Sequence, residues 1–192
     1  RKVVARFFEW ATAEIRQYGG TAEQFRGDAV MAVFGLQRAH EDDPERAVRA
    51  AFAVRDALAD LAVDAAERHG IALQVRIGVE AGEVVVGDPF GGSTRATGDA
   101  RNVAARLESQ AAPGDIVVGA DVHGATRRAI AYEPLGPRDV AGKAEAVAAW
   151  RAIAPTAEPV VVRGFEGRRA GMQSAGAVPV FRFDKLWCEG WI

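Results

Sequence analysis

Apolar residues in the first half of the chain recur at helical spacing in two long segments. Residues 1–18 carry an apolar stripe that ends at Gly19, which predicts an amphipathic helix with Val4, Phe7, Phe8, Ala11 and Ile15 on its buried side. A second helix is predicted from Asp43 to about Gly70, because an aspartate can cap a helix and Pro44 suits its first turn.

Shorter apolar runs between these segments predict strands. Two runs between Ala22 and Gly35 flank Gly27-Asp28, and their apolar density indicates a buried hairpin. Strict alternation over residues 73–79, a turn at 80–82 and the run at 84–87 predict a second hairpin.

The rest of the first 153 residues continues the alternation of helices and strands. A Gly-rich loop at 88–94 precedes a helix from Asp99 to about Ala111, and a short helical piece lies at 121–128. Further strands are predicted at 116–118, 129–135 and 146–153. Helices alternating with strand pairs favour an α+β sandwich in which helices cover a largely antiparallel sheet.

The pattern dissolves after Pro155. With 192 residues, of which 49% are hydrophobic, the chain suits one globular domain with a sizeable core. We therefore predict a domain at residues 1–155 and a tail or linker at 156–192.

Charge and cysteine content narrow the function classes. A net charge of −2 gives no electrostatic case for a nucleic acid or an anionic membrane as partner. No apolar stretch reaches the roughly 18 residues that span a bilayer. The single cysteine, Cys188, excludes an intrachain disulfide and suits a reducing compartment. We expect a cytoplasmic chain without a membrane segment. The three histidines lack Cys or His neighbours in the sequence, which disfavours zinc.

Two stretches carry candidate chemistry, residues 25–35 and residues 97–108. Asp28 follows a glycine at the predicted hairpin turn, where a carboxylate suits a hard cation such as Mg²⁺, although Gly-Asp pairs are also common in ordinary turns. Asn102 and Arg106 lie four residues apart on one face of the third helix. They indicate either a phosphate clamp or an ordinary solvated helix face.

Two glycine-containing segments are further candidates for phosphate contact. Gly142-Lys143 is either a turn with a solvated lysine or another phosphate contact. The loop at Gly91-Gly92 lacks the Gly-Lys-Ser/Thr ending of a P-loop, so a P-loop is excluded.

Taken in order, the segments 25–35, 40–43, 75–84, 97–108 and 142–145 closely resemble the catalytic domain of class III adenylate/guanylate cyclases. The resemblance runs from residue 1 to about Ile153. It implies a ferredoxin-like βαββαβ core and a head-to-tail homodimer with active sites at the interface.

The resemblance also implies a reaction, in which a nucleoside triphosphate becomes a 3′,5′-cyclic nucleotide and pyrophosphate for cyclic-nucleotide signalling. Two divalent ions, Mg²⁺ or Mn²⁺, are held by two aspartates in this family, and Asp28 matches the second of them. Asn102 matches the asparagine that positions the ribose, Arg106 the arginine that stabilises the transition state, and Lys143 a phosphate lysine. Asp28 of one subunit would then serve a site completed by the other three residues of the second subunit.

The chain departs from the family pattern in three respects. The opening strand with the first metal aspartate is expected to be absent, which would weaken Mg²⁺ binding and leave the sheet short of a central member. Gln24 and Arg95 stand at the purine-selecting positions and leave ATP versus GTP open. Arg26 and Arg101 stand where apolar residues are usual.

Two hypotheses about function follow. The first is a nucleotidyl cyclase domain that makes cyclic nucleotide as a homodimer when complete. The alternative is a catalytically silent cyclase-homology module that binds nucleotide or dimerises with another cyclase domain. The absent strand favours the silent module for this chain, whereas the motifs favour a cyclase ancestry.

Overall fold

The structure is a computed structural model that describes residues 2–24, 29–36, 38–69, 73–82, 85–87, 95–97, 99–138, 146–156 and 178–184. Within these residues the helices are α1 (Lys2–Gln17), α2 (Asp43–His69), α3 (Asp99–Gln110) and α4 (Ala120–Thr126). The strands are β1 (Gly20–Gln24), β2 (Val30–Phe34), β3 (Arg76–Gly82), β4 (Val85–Gly87), β5 (Arg95–Thr97), β6 (Ile116–Val118), β7 (Ile130–Arg138), β8 (Val147–Pro155) and β9 (Val178–Asp184). All four helices confirm the positions that the sequence predicts.

Seven of these strands form one sheet, in the order β1-β2-β9-β3-β6-β8-β7. Neighbours in this sheet are antiparallel except β3 and β6, which are parallel. Helices on a largely antiparallel sheet confirm the α+β class.

The structure contains the first of the two predicted hairpins, and the prediction of the second is wrong. β1 and β2 pair antiparallel, with Gly20 opposite Phe34 and Gln24 opposite Val30. β4 instead pairs with β5 in a small sheet of its own, and the neighbours of β3 are β6 and β9. The five inner residues of β3 are all buried, so it is a central strand covered on both faces and not one arm of a hairpin.

The centre of the sheet also differs from expectation. The sequence predicts a sheet short of a central member, but β9 lies between β2 and β3 and is antiparallel to both. This strand belongs to the segment 156–192, interpreted above as a tail. The domain boundary at residue 155 stays a prediction, and residues 178–184 share the sheet of the preceding residues.

Helices cover both faces of the sheet. Ile77, Val79 and Ala81 of β3 belong to the main core, to which α1, α2 and α4 contribute Phe7, Ile15, Val48, Val54, Leu58 and Val122. A smaller core on α3 contains Val103 and Leu107, together with Val117 of β6 and Ala149 of β8. The chain is thus a sandwich with α3 on the opposite face from the other helices.

Two glycines of β3 let α3 lie directly on the sheet. A Cβ atom at Gly78 would lie 2.1 Å from the carbonyl oxygen of Ala104 and 2.5 Å from the backbone nitrogen of Glu108. A Cβ atom at Gly82 would lie 2.9 Å from the Cβ of Ala100. The height of α3 above the sheet is therefore set by the absence of side chains at these positions.

We expect Gly78→Ala to lower the free energy of unfolding by about 2–3 kcal/mol, because the added methyl meets backbone atoms that no rotamer change can move. Urea denaturation followed by circular dichroism measures this loss. Gly124→Ala is the matched control, since nothing lies within 4 Å of its Cβ position in α4, and it should raise stability by about 0.5–1 kcal/mol. Equal stability of wild type and Gly78→Ala would contradict the close approach.

Candidate functional site

Asn102 and Arg106 both lie on α3, as the sequence predicts, and they project from the side that does not pack on the sheet. The helix buries Ala100, Val103, Ala104, Leu107 and Glu108. Asn102 is exposed and Arg106 is half-buried. Four residues of helix separate their Cα atoms by a rise of about 6 Å, so one ligand can contact both side chains.

The described surroundings of Arg106 contain no acidic partner for its side chain. Within the described ranges, Arg106 forms no ion pair with Asp99 or Glu108, and Glu108 is buried on the other side of the helix. The backbone carbonyl of Arg106 accepts a hydrogen bond from Ser109 Oγ at 2.9 Å. The guanidinium is thus free of the intrahelical carboxylates that would otherwise neutralise it.

The other proposed site residues lie in or beyond the neighbouring strands. Gln24 is the last residue of β1, opposite Val30 of β2. Arg95 is the first residue of β5, opposite Gly87, and β5 ends two residues before α3 begins. Asp28 and Lys143 lie outside the described residues. The structure therefore brings Asn102 and Arg106 together on one helix, and the meeting of Asp28 with this pair stays a prediction.

One acidic residue that the sequence reasoning missed lies at the end of β9. Phe183 pairs with Val30 of β2, at the end of the hairpin from which residues 25–28 depart. Asp184 follows it and pairs with Arg76 of β3. The backbone of Asp184 therefore lies at the end of the sheet where β1 ends and β2 begins.

Neither a metal cluster nor a membrane span is found in the part of the chain that the structure describes. No three side chains among its His, Cys, Asp and Glu residues form a group that could hold a metal ion. Its helices are too short or too polar to cross a bilayer.

The chain is similar to known proteins in sequence and in fold. A family model described as the adenylate and guanylate cyclase catalytic domain matches residues 12–151. An adenylate cyclase of Mycobacterium tuberculosis is 31% identical over 171 residues, which are 82% of this chain and 35% of that protein. Adenylate cyclase 1 of Rhizobium meliloti is 28% identical over 177 residues, which are 88% of this chain and 25% of that protein.

Solved structures show the same fold. The adenylyl cyclase CyaB from P. aeruginosa matches with a TM-score of 0.75 at 24% identity, over 79% of this chain and 81% of that chain. The guanylyl cyclase Cya2 matches with a TM-score of 0.73 at 26% identity, over 83% of this chain and 82% of that chain. The chain spans 24% to 35% of the length of the curated relatives that match it first, so it corresponds to one part of those proteins.

Proposed function

Because the chain belongs to the family of adenylate and guanylate cyclase catalytic domains, we propose that it converts ATP or GTP to a 3′,5′-cyclic nucleotide and pyrophosphate, in the service of cyclic-nucleotide signalling. The observation that carries the proposal is the family match over residues 12–151. That match contains both the β1–β2 hairpin and α3, which hold the candidate residues.

In the proposed reaction, the ribose 3′-oxygen attacks the α-phosphorus. The bond from that phosphorus to the oxygen bridging to the β-phosphate breaks, pyrophosphate leaves with the bonding electrons, and the 3′-hydroxyl proton passes to solvent. Negative charge grows on the phosphate oxygens, and the Arg106 guanidinium donates hydrogen bonds to them. Asn102, one turn earlier on the exposed face, holds the ribose so that the 3′-oxygen is aligned with the breaking bond.

The remaining residues would bind the ends of the substrate. Lys143 is proposed to contact the phosphates, and Gln24 and Arg95 the purine base. An amide that both donates and accepts, beside a fixed cation, does not select adenine or guanine by itself. Both nucleotides should therefore be assayed.

Carboxylates would hold the proposed ions, because oxygen donors suit Mg²⁺ and Mn²⁺. We assign Asp28 as one ligand and, from the register of β9, Asp184 as a second. When bound, such ions neutralise phosphate charge and lower the pKa of the attacking hydroxyl. The place of Asp184 at the end of a central strand supports this assignment.

We further propose that the active unit is a homodimer in which Asp28 of one subunit and the Asn102 and Arg106 pair of the other complete each site. On a single chain, α3 presents Asn102 to solvent with no described residue bonded to its side chain, as an interface contribution requires. The phosphorylated substrate would then bind between two subunits.

A turnover assay with ATP or GTP and Mg²⁺ or Mn²⁺ tests the function, and cyclic product is expected. Asp28→Asn and Asp184→Asn should lower turnover and should each weaken Mn²⁺ binding, measured by electron paramagnetic resonance, by about tenfold or more. Asp121→Asn, an exposed aspartate of α4, is the matched control and should change neither. Nucleotide binding without any product would support the silent module instead, and unchanged Mn²⁺ binding in Asp184→Asn would remove that residue from the site.

A further inference from the structure

A concave site lies at the end of the β1–β2 hairpin where β1 begins and β2 ends. It is a half-enclosed cavity of about 310 Å³ between the end of α1, the start of β1, the segment after β2 and the start of α2. Its lining side chains include Arg16, Arg38, His40 and Arg46, and none of the described lining residues is acidic. The volume is at the lower end of the range of small-molecule pockets, which is about 300–1,000 Å³.

The floor of the cavity is built around Arg46. Its guanidinium donates to Asp43 and to the carbonyl oxygen of Tyr18 at 3.4 Å, and its Nε lies 3.3 Å from Asp42 Oδ1. The Asp43 carboxylate also accepts a hydrogen bond from the backbone nitrogen of His40 at 2.6 Å. These bonds tie α1, α2 and the segment after β2 together.

Two glycines make room for this arrangement. Gly19 and Gly35 both have φ near +82°, a conformation that side chains disfavour. A Cβ at Gly19 would lie 2.5 Å from Arg46 Nη1, and a Cβ at Gly35 would lie 2.6 Å from Asp43 Oδ2. The shape of the cavity floor therefore depends on the backbone conformation of these two glycines and on their lack of side chains.

The charge around the cavity is unbalanced. Asp42 and Asp43 both contact Arg46, so the three arginines at the cavity exceed these two carboxylates by one positive charge. Arg16 and Arg38 are exposed, and neither forms an ion pair within the described ranges. Arg16 and Arg38 thus bring two guanidinium groups without a described acidic partner to the cavity, and Arg46 is held in place beside them by its hydrogen bonds. Guanidinium groups match the oxygens of phosphate in charge and geometry.

We propose that this cavity binds a small phosphate-bearing ligand, either free phosphate or a phosphate monoester, through Arg16, Arg38 and Arg46. The site is separate from the candidate nucleotide site, because β1 begins at the cavity with Gly20 and runs for five residues, about 16 Å of strand, before residue 25. The assignment does not depend on cyclase activity.

The test is binding of inorganic phosphate and of ribose 5-phosphate to the full chain by isothermal titration calorimetry, at constant ionic strength set with sodium chloride. We compare wild type with the double variant Arg16→Ala/Arg38→Ala. The matched control is Arg127→Ala/Arg128→Ala, which removes two exposed arginines at the end of α4. The first double variant should weaken binding by about tenfold or more, and the control should bind like wild type.

Hydrogen exchange locates the bound ligand. Protection on adding phosphate is expected at residues 16–21 and 35–40, and Arg106→Ala should keep the same affinity. Tighter binding of ribose 5-phosphate than of phosphate would identify a monoester as the ligand, and equal binding would identify the free anion. No binding by wild type, equal binding by all variants, or loss of binding in Arg106→Ala would overturn the proposal.

Discussion

Arg106→Ala is expected to lower kcat for cyclic nucleotide formation by about 100-fold or more, since removal of one donor to a developing oxyanion costs 10²–10³ in other enzymes. The half-buried side chain makes no described ion pair, so the free energy of unfolding should stay within about 0.5 kcal/mol of wild type. Initial rates at saturating nucleotide and urea denaturation measure the two effects. Arg128→Ala, an exposed arginine outside α3, should leave kcat unchanged.

Mixing two inactive variants then tests where the site is completed. If each site draws Asp28 from one subunit and Arg106 from the other, an equal mixture of Asp28→Ala and Arg106→Ala chains contains one intact site in every mixed dimer. About one quarter of wild-type activity is then expected after subunit exchange. A mixture as inactive as its components would mean that both residues act within one chain.

Truncation after Thr156 has the largest expected effect on stability, because it removes β9 from between β2 and β3. Both strands would then lose a complete ladder of backbone partners, and the main core would be open along the middle of the sheet. We expect the truncated chain to lose cooperative urea unfolding and to bind a hydrophobic dye.

Truncation after Asp184 is the control for the length of the deletion. It removes residues 185–192 and keeps β9, so it should unfold cooperatively at nearly the wild-type midpoint. A chain ending at Thr156 with a wild-type midpoint and m-value would show that β9 contributes nothing to the sheet in solution.

How much of this architecture the sequence predicts depends on how local the signal is. α1, α2 and α3 follow from apolar residues at helical spacing, and the β1–β2 hairpin from two runs around Gly27-Asp28. The position of Asn102 and Arg106 on one helix face follows from their spacing alone. These are relations between residues that are close in the chain.

The failures concern relations between distant segments. Alternation over residues 73–79 predicts a strand but not its partners, which the structure identifies as β6 and β9. β9 itself has a weak signal, with Val178, Val180, Phe181 and Phe183 interrupted by Pro179 and Arg182, in a Gly-rich and basic segment. The cavity at Arg46 was also missed, because it forms only when α1, α2 and the segment after β2 pack together.

The pairing of Val30 with Phe183 joins residues about 150 positions apart, which is a large share of the chain. The entropy cost of closing such a long loop comes before the hydrogen bonds between the paired strands stabilise the sheet. We therefore expect this sheet to fold slowly for its size. During synthesis, β2 and β3 leave the ribosome long before their shared neighbour exists. The edges of β2 and β3 that face β9 therefore have no native partner until residues 178–184 emerge, and aggregation through these open edges is the hazard of that interval.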